Sequence, residues 1–177
     1  TVKQLDVSGF TTSKATNMGK MFSNCYYITS LDVSKFNTEK VVNMGSMFLG
    51  ARNIKSLDVS KFDTSHVTDM SYMFSNLGNV KKLDVSKFDT SNVENFSGMF
   101  QIMRRLTSLD VSNFDTSKAN DMSYMFQSLM FVSKLDVSKF NTKNVDDFYS
   151  MFYGCTYLSS LDLSNFVTNK VRDMCYM

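Results

Sequence analysis

Hydrophobic and polar positions follow a pattern along this chain that returns every 26 residues. The phrase Leu-Asp-Val-Ser-x-Phe, with Leu in place of Val in the last copy, begins at the following leucines: Leu5, Leu31, Leu57, Leu83, Leu109, Leu135 and Leu161. No insertion or deletion interrupts the period. A fixed period of this length predicts stacked coils, each of which buries its apolar face only against its neighbours. Positions within a coil are numbered below from this leucine, which is position 1.

Two kinds of apolar spacing within each coil predict two kinds of element. At positions 1 to 4, apolar Leu and Val alternate with polar Asp and Ser, which is typical of a short strand with one buried face. Apolar residues then fall at positions 11, 14, 17, 18 and 21, which is helical spacing. In the third coil these are Val67, Met70, Met73, Phe74 and Leu77. The polar corner between the two elements holds a threonine in every coil, such as Thr64, and we expect it to cap the helix start.

The repeat unit resembles two known patterns. Its apolar-x-x-Leu-x-Val segment, with a Phe five residues after the Leu, resembles a leucine-rich-repeat consensus in which Phe replaces the usual Asn. The unit from Leu57 to Phe74 closely resembles the 26-residue repeat of bacterial surface proteins, the BspA-like proteins of mycoplasmas, listeriae and lactic-acid bacteria. The spacing of Met151, Phe152, Cys155 and Leu158 is typical of that repeat. The resemblance implies a non-catalytic protein anchored at the bacterial surface or secreted, often proposed to adhere to host or matrix components.

These patterns together predict an α/β fold: a right-handed, leucine-rich-repeat-like solenoid of seven strand-helix coils. Short parallel strands would form a sheet on one side, and a row of short helices would lie on the other. The alternative is a continuous β-solenoid, which would need period-2 alternation through positions 9 to 20. We interpret residues 1–177 as one domain without a linker. Because both ends fall inside a coil, we expect the chain to be an excerpt of a longer repeat array.

Charge and composition narrow the range of partners. The net charge is +2, with 19 basic and 17 acidic residues that we interpret as mixed throughout the chain, so nucleic acid is a poor default partner. No apolar run approaches the ~20 residues that cross a bilayer, which predicts no membrane insertion by this segment. Cys25, Cys155 and Cys175 give no disulfide framework, and we interpret them as small hydrophobic residues.

The chain offers little for catalysis. His66 is the only histidine, and its column otherwise holds Lys and Asn, so we expect it to be exposed. One surface histidine builds no nucleophile, base and orienting group. Neither a glycine-rich phosphate loop nor a Cys/His cluster of zinc spacing is present in the sequence. We therefore predict no enzymatic activity and no cofactor.

A row of carboxylates is predicted on the outward face of the strands. It comprises the position-2 residues Asp6, Asp32, Asp58, Asp84, Asp110, Asp136 and Asp162. Stacked at ~4.8 Å, neighbouring charges would repel one another and need a partner. Three interpretations remain open. The row is a ladder of hydrogen bonds and ion pairs with nearby Ser and Lys, a Ca²⁺-binding row, or a set of acceptors for backbone amides.

Sequence variation between coils points to a binding edge. Positions 10, 12, 16, 19, 20, 22 and 23 change from coil to coil, and aromatic and arginine side chains gather there. The candidate residues are Tyr26, Tyr27, Arg52, Tyr72, Arg104, Arg105, Tyr124, Phe131, Tyr157 and Tyr176. Tyr and Arg are enriched in binding hot spots. Adhesion to a host or matrix protein or glycan is one hypothesis. The alternatives are drift on a tolerant surface and aromatic covering of the coil edge.

A second functional hypothesis is structural. Coil ends that carry unpaired backbone and exposed Phe and Met invite end-to-end association. The chain would then serve as a spacer or a filament-forming segment of a surface protein.

Overall fold

Successive coils lie directly on top of one another in the computed structural model, which describes residues 2–177. Isolated parallel bridges join residues that are 26 apart: Gln4–Ser30, Asn17–Asn43, Asn43–Asp69, Asp69–Asn95, Asn95–Asp121, Asp121–Asp147 and Asp147–Asp173. The phenylalanines of position 18 stack face to face from coil to coil. Their ring centroids are 5.8 Å apart for Phe22–Phe48, 5.9 Å for Phe48–Phe74 and 6.0 Å for Phe100–Phe126. Equivalent side chains of neighbouring coils therefore share one interior.

The coils are built from turns. Residues 2–177 contain no helix and no strand longer than a single bridge. The predicted α/β architecture of strand-helix coils is therefore wrong, and so is its leucine-rich-repeat-like sheet. The β-solenoid alternative also fails, because the parallel contacts remain isolated bridges.

Hydrogen bonding explains why helical spacing did not produce helices. In the third coil, the amides of Met73, Ser75 and Leu77 each bond the carbonyl three residues earlier, which closes a series of overlapping turns. The amides between them point to the next coil instead: Phe74 donates to Met99 O and Asn76 to Gln101 O, at 3.0 and 2.7 Å. A helix would keep all of these bonds within one coil. Overlapping turns bury the same apolar positions and use alternate amides to hold the coils together.

Left-handed backbone conformations make this path possible. Position 16 has positive φ in all seven coils, and position 20 in all six coils that contain it. Asparagine and glycine tolerate this conformation best, as at Asn24 and Gly50. Other side chains adopt it at a cost, including Tyr72 at 54° and the β-branched Ile102 at 57°. Two residues with positive φ, four positions apart in six of the coils, prevent a regular helix.

The predicted strand is also a turn. In the third coil, the Phe62 amide donates to Val59 O at 3.0 Å, which bends the chain directly after the Leu-x-Val segment. The alternation of buried and exposed residues survives, because Leu57 and Val59 are 7% and 2% exposed while Asp58 lies outside. The sequence therefore identified the buried face correctly and the backbone conformation incorrectly.

The threonine of position 8 joins neighbouring coils. Thr64 is 2% exposed; its hydroxyl donates to Asp89 O at 2.9 Å and accepts the Asp89 amide at 2.8 Å. Thr38 makes the same two bonds with Asp63, and Thr116 with Asn141. No helix follows for this residue to cap in the described chain, so the predicted N-cap role is wrong. Five of the seven threonines satisfy both backbone polar groups of one residue in the following coil, and Thr90 donates to the carbonyl alone.

The core fills the space inside the turns. The central coils bury positions 11, 14, 17, 18, 21 and 24 almost completely, with Met70, Met73 and Phe74 all at 0% exposure. Position 17 is Met in every coil, and a flexible thioether fills irregular space between phenylalanine rows well. The second phenylalanine row, at position 6, packs against the first, with Phe74 and Phe88 centroids 6.2 Å apart. In the first coil, by contrast, Phe10 is 50% exposed.

We expect Phe74→Ala to reduce the free energy of unfolding by about 3–5 kcal/mol, since it removes a fully buried ring from the middle of the stack. Chemical denaturation followed by tyrosine fluorescence measures the loss. Phe10→Ala is the matched control and should cost much less, because half of that ring is exposed. Equal costs at the two sites would contradict the stacked core.

We expect Thr64→Val to cost about 1–3 kcal/mol, since it preserves shape but leaves the amide and carbonyl of Asp89 without their partner. The same denaturation experiment measures it. Thr68→Val is the control: the Thr68 hydroxyl makes only a long, exposed bond to Val42 O, at 3.4 Å, so little should change. A Thr64 variant as stable as the control would show that the inter-coil bonds contribute nothing.

Candidate functional site

The position-2 aspartates are bonded to their own turns. Each carboxylate accepts the backbone amide of the serine two residues later, as Asp58 does from Ser60 at 2.9 Å and Asp110 from Ser112 at 3.0 Å. The pKa of each of these carboxyls lies below its ordinary value. The serine hydroxyl and then its amide are the main causes in six coils, while at Asp162 the amide comes first. The carboxylates are thus engaged as acceptors within their own coils.

The geometry of this row combines two of the three interpretations, since the carboxylates accept the serine amide of their own coil and, at Asp110, also the Ser112 hydroxyl at 2.7 Å. The predicted lysine neighbours act at longer range: Lys61 and Lys87 lower the pKa of Asp58. Between residues 2 and 177, the one ion pair within 4.0 Å is Arg172–Asp146 at 3.6 Å, which lies elsewhere. Over the same range, no three His, Cys, Asp or Glu side chains lie close enough together to hold a metal ion.

A second row of acceptors lies at position 13, where Asn and Asp alternate irregularly. Asn43 accepts the Gly45 amide and Asp69 accepts the Ser71 amide, both at 2.8 Å. The bond needs only a side-chain oxygen, which both residue types supply. The last three members are all carboxylates: Asp121, Asp147 and Asp173. Burial first, and then the charges of its two neighbours, raise the pKa of Asp147 above its ordinary value.

Tyrosines cover the coils next to this acidic row. Tyr124 and Tyr149 have ring centroids 5.0 Å apart, and Tyr176 contacts both Tyr149 and Tyr153 edge-on at 5.9 and 5.8 Å. Burial and Tyr149 raise the pKa of Tyr124, with smaller contributions from more distant groups. Tyr72, at the same position two coils before Tyr124, is one of those more distant groups. We name Tyr72, Tyr124, Tyr149, Tyr153 and Tyr176 the tyrosine face.

Sequence reasoning found only part of the tyrosine face. It selected the position-16 tyrosines, of which Tyr72 and Tyr124 are half-buried and Tyr176 is 67% exposed. It missed Tyr149, whose position 15 is not among the variable ones, and it missed Tyr153 although position 19 is. A further regularity explains the spacing of the position-16 tyrosines. A side chain added at Gly98, the same position one coil later, would collide with the ring of Tyr72. A large residue in one coil therefore needs a small one in the next.

The remaining candidate residues lie at positions 22 and 23. The Arg52 guanidinium lies 4.5 Å from the centroid of the Tyr26 ring, and Phe131 stacks with Tyr157 at 5.4 Å. All of the predicted residues at these two positions are exposed: Tyr26, Tyr27, Arg52, Arg104, Arg105, Phe131 and Tyr157. Within the described chain, no aromatic pair connects them with the tyrosine face. The aromatic contacts of the candidate residues therefore fall into two groups.

Charge is segregated by position in the coil. Positions 19 to 26 contain no Asp or Glu in any of the six coils that include them. The same positions carry seven basic residues, all exposed: Arg52, Lys55, Lys81, Lys82, Arg104, Arg105 and Lys134. We name this surface, together with its flanking aromatics, the basic edge. Basic and acidic residues are mixed in sequence order, which hides their separation by position in the coil. Counting charges column by column would have revealed it.

An open hollow lies in the basic edge. It has a volume of about 400 Å³, and its lining includes Arg52, Asn76, Gly78, Asn79 and Arg104. The Asn79 amide donates to Arg52 O at 3.0 Å, which fixes its side chain at the rim. The hollow exists because position 22 is glycine in the third coil, while the second and fourth coils have arginine there.

Comparison with known proteins identifies the family. The family described as "Mycoplasma protein of unknown function, DUF285" matches residues 1–82 and 77–177. The chain belongs to this family. The prediction of a bacterial repeat family is confirmed at this level, while the narrower BspA-like name has no support in the match. Searches of curated proteins and of solved structures found no match. Across residues 2–177, no helix has the length and apolar character needed to cross a bilayer.

We expect Asp147→Asn to raise the free energy of unfolding at pH 7 by a few tenths of a kcal/mol, since the site is partly solvated and screened. Asparagine keeps an oxygen for the Tyr149 amide, which Asp147 accepts at 2.7 Å, and removes a charge between two others. Because the folded-state pKa is raised, the charge destabilises the fold above that pKa. The penalty disappears as the pH falls below the ordinary value of 3.8. Urea unfolding at pH 7 and at about pH 3 should show a gain only at pH 7.

Asp69→Asn is the matched control for this prediction. Asp69 occupies the same column but lies between Asn43 and Asn95, and it accepts the Asn43 side-chain amide at 3.3 Å. Its replacement should give no gain. A similar gain at both sites would argue against repulsion within the carboxylate run.

Proposed function

We propose that this chain is a non-enzymatic binding module of a bacterial cell surface or secreted protein. It adheres to a host or matrix protein or glycan through the basic edge. The observation that carries the proposal is the exposed arginine and aromatic cluster of positions 22 and 23, in a stretch of the coil (positions 19 to 26) that contains no Asp or Glu. Exposed Arg and Tyr are the side chains that most often dominate binding energy.

The scaffold supports this role. Backbone bonds between coils, buried threonines and a shared core fix the side chains of the edge at regular intervals. Pre-organised side chains lose less conformational freedom on binding, which favours affinity. The surface location is taken from the resemblance to bacterial surface repeats, and the family match to Mycoplasma proteins is consistent with it.

The geometry around the histidine supports a non-catalytic role. His66 is exposed, and its Nδ1 lies 3.1 Å from Ser65 Oγ. The same hydroxyl donates its proton to Asp63 at 2.7 Å, so it has no proton to give the imidazole. This arrangement differs from a nucleophile activated by a base, in which the hydroxyl donates to the imidazole.

A spacer or filament-forming segment is the second candidate. The observation that favours it is apolar surface on the outer coils, where Phe10 is 50%, Met21 36% and Met174 46% exposed. A further coil or a second copy would cover such surfaces. Light scattering that shows chains growing with concentration, and reduced by Phe10→Ser, would favour this candidate.

Immobilised extracellular-matrix proteins and a glycan array test the binding function. We expect Arg104→Ala/Arg105→Ala to weaken capture at least about tenfold, since hot-spot residues contribute more than 1 kcal/mol each. Lys40→Ala/Lys143→Ala is the charge-matched control, from exposed positions outside the basic edge. Tyr124→Ala tests the tyrosine face separately. Capture that is unchanged in both the arginine and the tyrosine variants would refute a binding role for these surfaces.

A further inference from the structure

We propose that the basic edge binds a linear acidic polysaccharide, laid along the stack of coils and held through its carboxylate or sulfate groups. The inference rests on the proposed binding function and names the ligand class for that surface.

The charge distribution provides the first argument. Seven exposed basic side chains occupy positions 19 to 26 of the second to fifth coils, and no Asp or Glu shares those positions. None of the seven forms an ion pair within 4.0 Å in the part of the chain that the structure describes. The lysines of this set border the exposed position-2 aspartates, whereas the arginines of positions 22 and 23 lie farther along the coil from them. A local excess of positive charge at the arginines attracts a ligand of the opposite sign and raises its local concentration. Because the basic residues recur from coil to coil, they match a polymer with repeated negative charges better than a single small anion.

The hollow at Gly78 provides the second argument. A Cβ built at Gly78 would meet only the Arg52 carbonyl, at 4.0 Å, and the backbone there does not have the positive φ that favours glycine. The fold therefore tolerates a side chain at this position. Its absence leaves about 400 Å³ between Arg52 and Arg104, lined also by the side chains of Asn76 and Asn79. Amide and guanidinium groups around a space of this size suit the hydroxyl and acidic groups of a sugar unit.

The aromatic residues provide the third argument and favour a polysaccharide over single-stranded nucleic acid. Tyr26 and Tyr27 lie before the arginines, and the stacked pair Phe131 and Tyr157 lies after them. Flat rings at the two ends can pack against the apolar faces of sugar rings. Proteins that bind single strands instead combine the basic groove with aromatic residues on which successive bases stack. Positions 22 and 23 of the second to fourth coils contain no aromatic residue.

Fluorescence anisotropy with four labelled polymers tests the inference on the whole chain. The polymers are heparin as the sulfated probe, polygalacturonate as the carboxylated probe, dextran as the neutral probe, and oligo(dT) as the nucleic-acid probe. We expect binding to at least one of the two acidic polysaccharides, weakened by added salt, and no binding to dextran. Arg104→Gln/Arg105→Gln should raise the Kd about tenfold or more, since two charge contacts with the polymer are lost.

Two further variants separate a built site from general charge. Gly78→Tyr fills the hollow without changing any charge, and we expect it to raise the Kd as well. Lys40→Gln/Lys143→Gln removes two cations elsewhere and should leave the Kd within about twofold. Circular dichroism and the unfolding midpoint check that all variants are folded. A Kd as strongly affected by the lysine pair as by the arginine pair would overturn the proposal, and so would an unaffected Kd in Gly78→Tyr.

The remaining outcomes show whether the ligand class or the binding function is wrong. Tighter binding of oligo(dT) than of either acidic polysaccharide would overturn the ligand class in favour of nucleic acid. If neither polysaccharide binds but matrix proteins are still captured in an arginine-dependent way, the ligand class is wrong and the binding function stands. If neither polysaccharides nor matrix components bind, the two proposals fail together.

Discussion

Hydrogen bonds between the backbones of successive coils are the constraint on which the rest of this structure depends. At positions 14, 16, 18 and 20, the amide of one coil bonds a carbonyl of the next, as Tyr72 does to Ser97 at 2.7 Å. Position 12 bonds in the opposite direction, from Thr68 to Val42 at 2.9 Å. A coil alone would leave these groups unpaired, and buried unpaired amides are costly. Neighbouring coils are thus needed to complete each turn, and stability depends on contacts between nearest neighbours.

This bonding also determines how side chains are distributed. Since equivalent residues of successive coils are held in register, each column becomes a row across the molecule. Rows of Phe and Met form the core, and rows of Asp and Asn accept amides within their own turns. Register also imposes restrictions between coils. The Tyr72 ring occupies the space above Gly98, so residue size at position 16 is linked from one coil to the next.

The same register separates columns that stabilise the backbone from columns whose side chains are free to vary. Columns that satisfy the backbone, such as the threonines of position 8, contribute to the fold in each of the first six coils. Columns 22 and 23 contribute less to backbone bonding, and their residues vary among Arg, Asn, Gly, Met, Thr and aromatic types without disturbing the core. Columns 19 to 26 contain no acidic residue, while the carboxylates of position 13 lie beside the tyrosine face. A molecule with a net charge of only +2 therefore presents surfaces of opposite character.

The sequence by itself determined the number of coils, their register, and which positions are buried. These follow from the 26-residue period and from apolar residues whose burial is favourable in any backbone conformation. It also pointed to Arg104, Arg105 and their aromatic neighbours as exposed and variable. Only the tertiary structure decided that the coils are made of turns. The same apolar spacing suits a helix or overlapping turns, and the choice depends on bonds to a coil 26 residues away.

The tertiary structure also decided the roles of particular polar residues. Thr64 is of a residue type typical of helix caps, yet its hydrogen-bond partner is Asp89 in the next coil. Tyr149 and Tyr153 come from columns that look unrelated in sequence, and folding brings both into ring contact with Tyr176. Local patterns report which side chains avoid water, because burial depends on the residue itself. They do not report which distant group completes a hydrogen bond, since that depends on how the coils lie against one another.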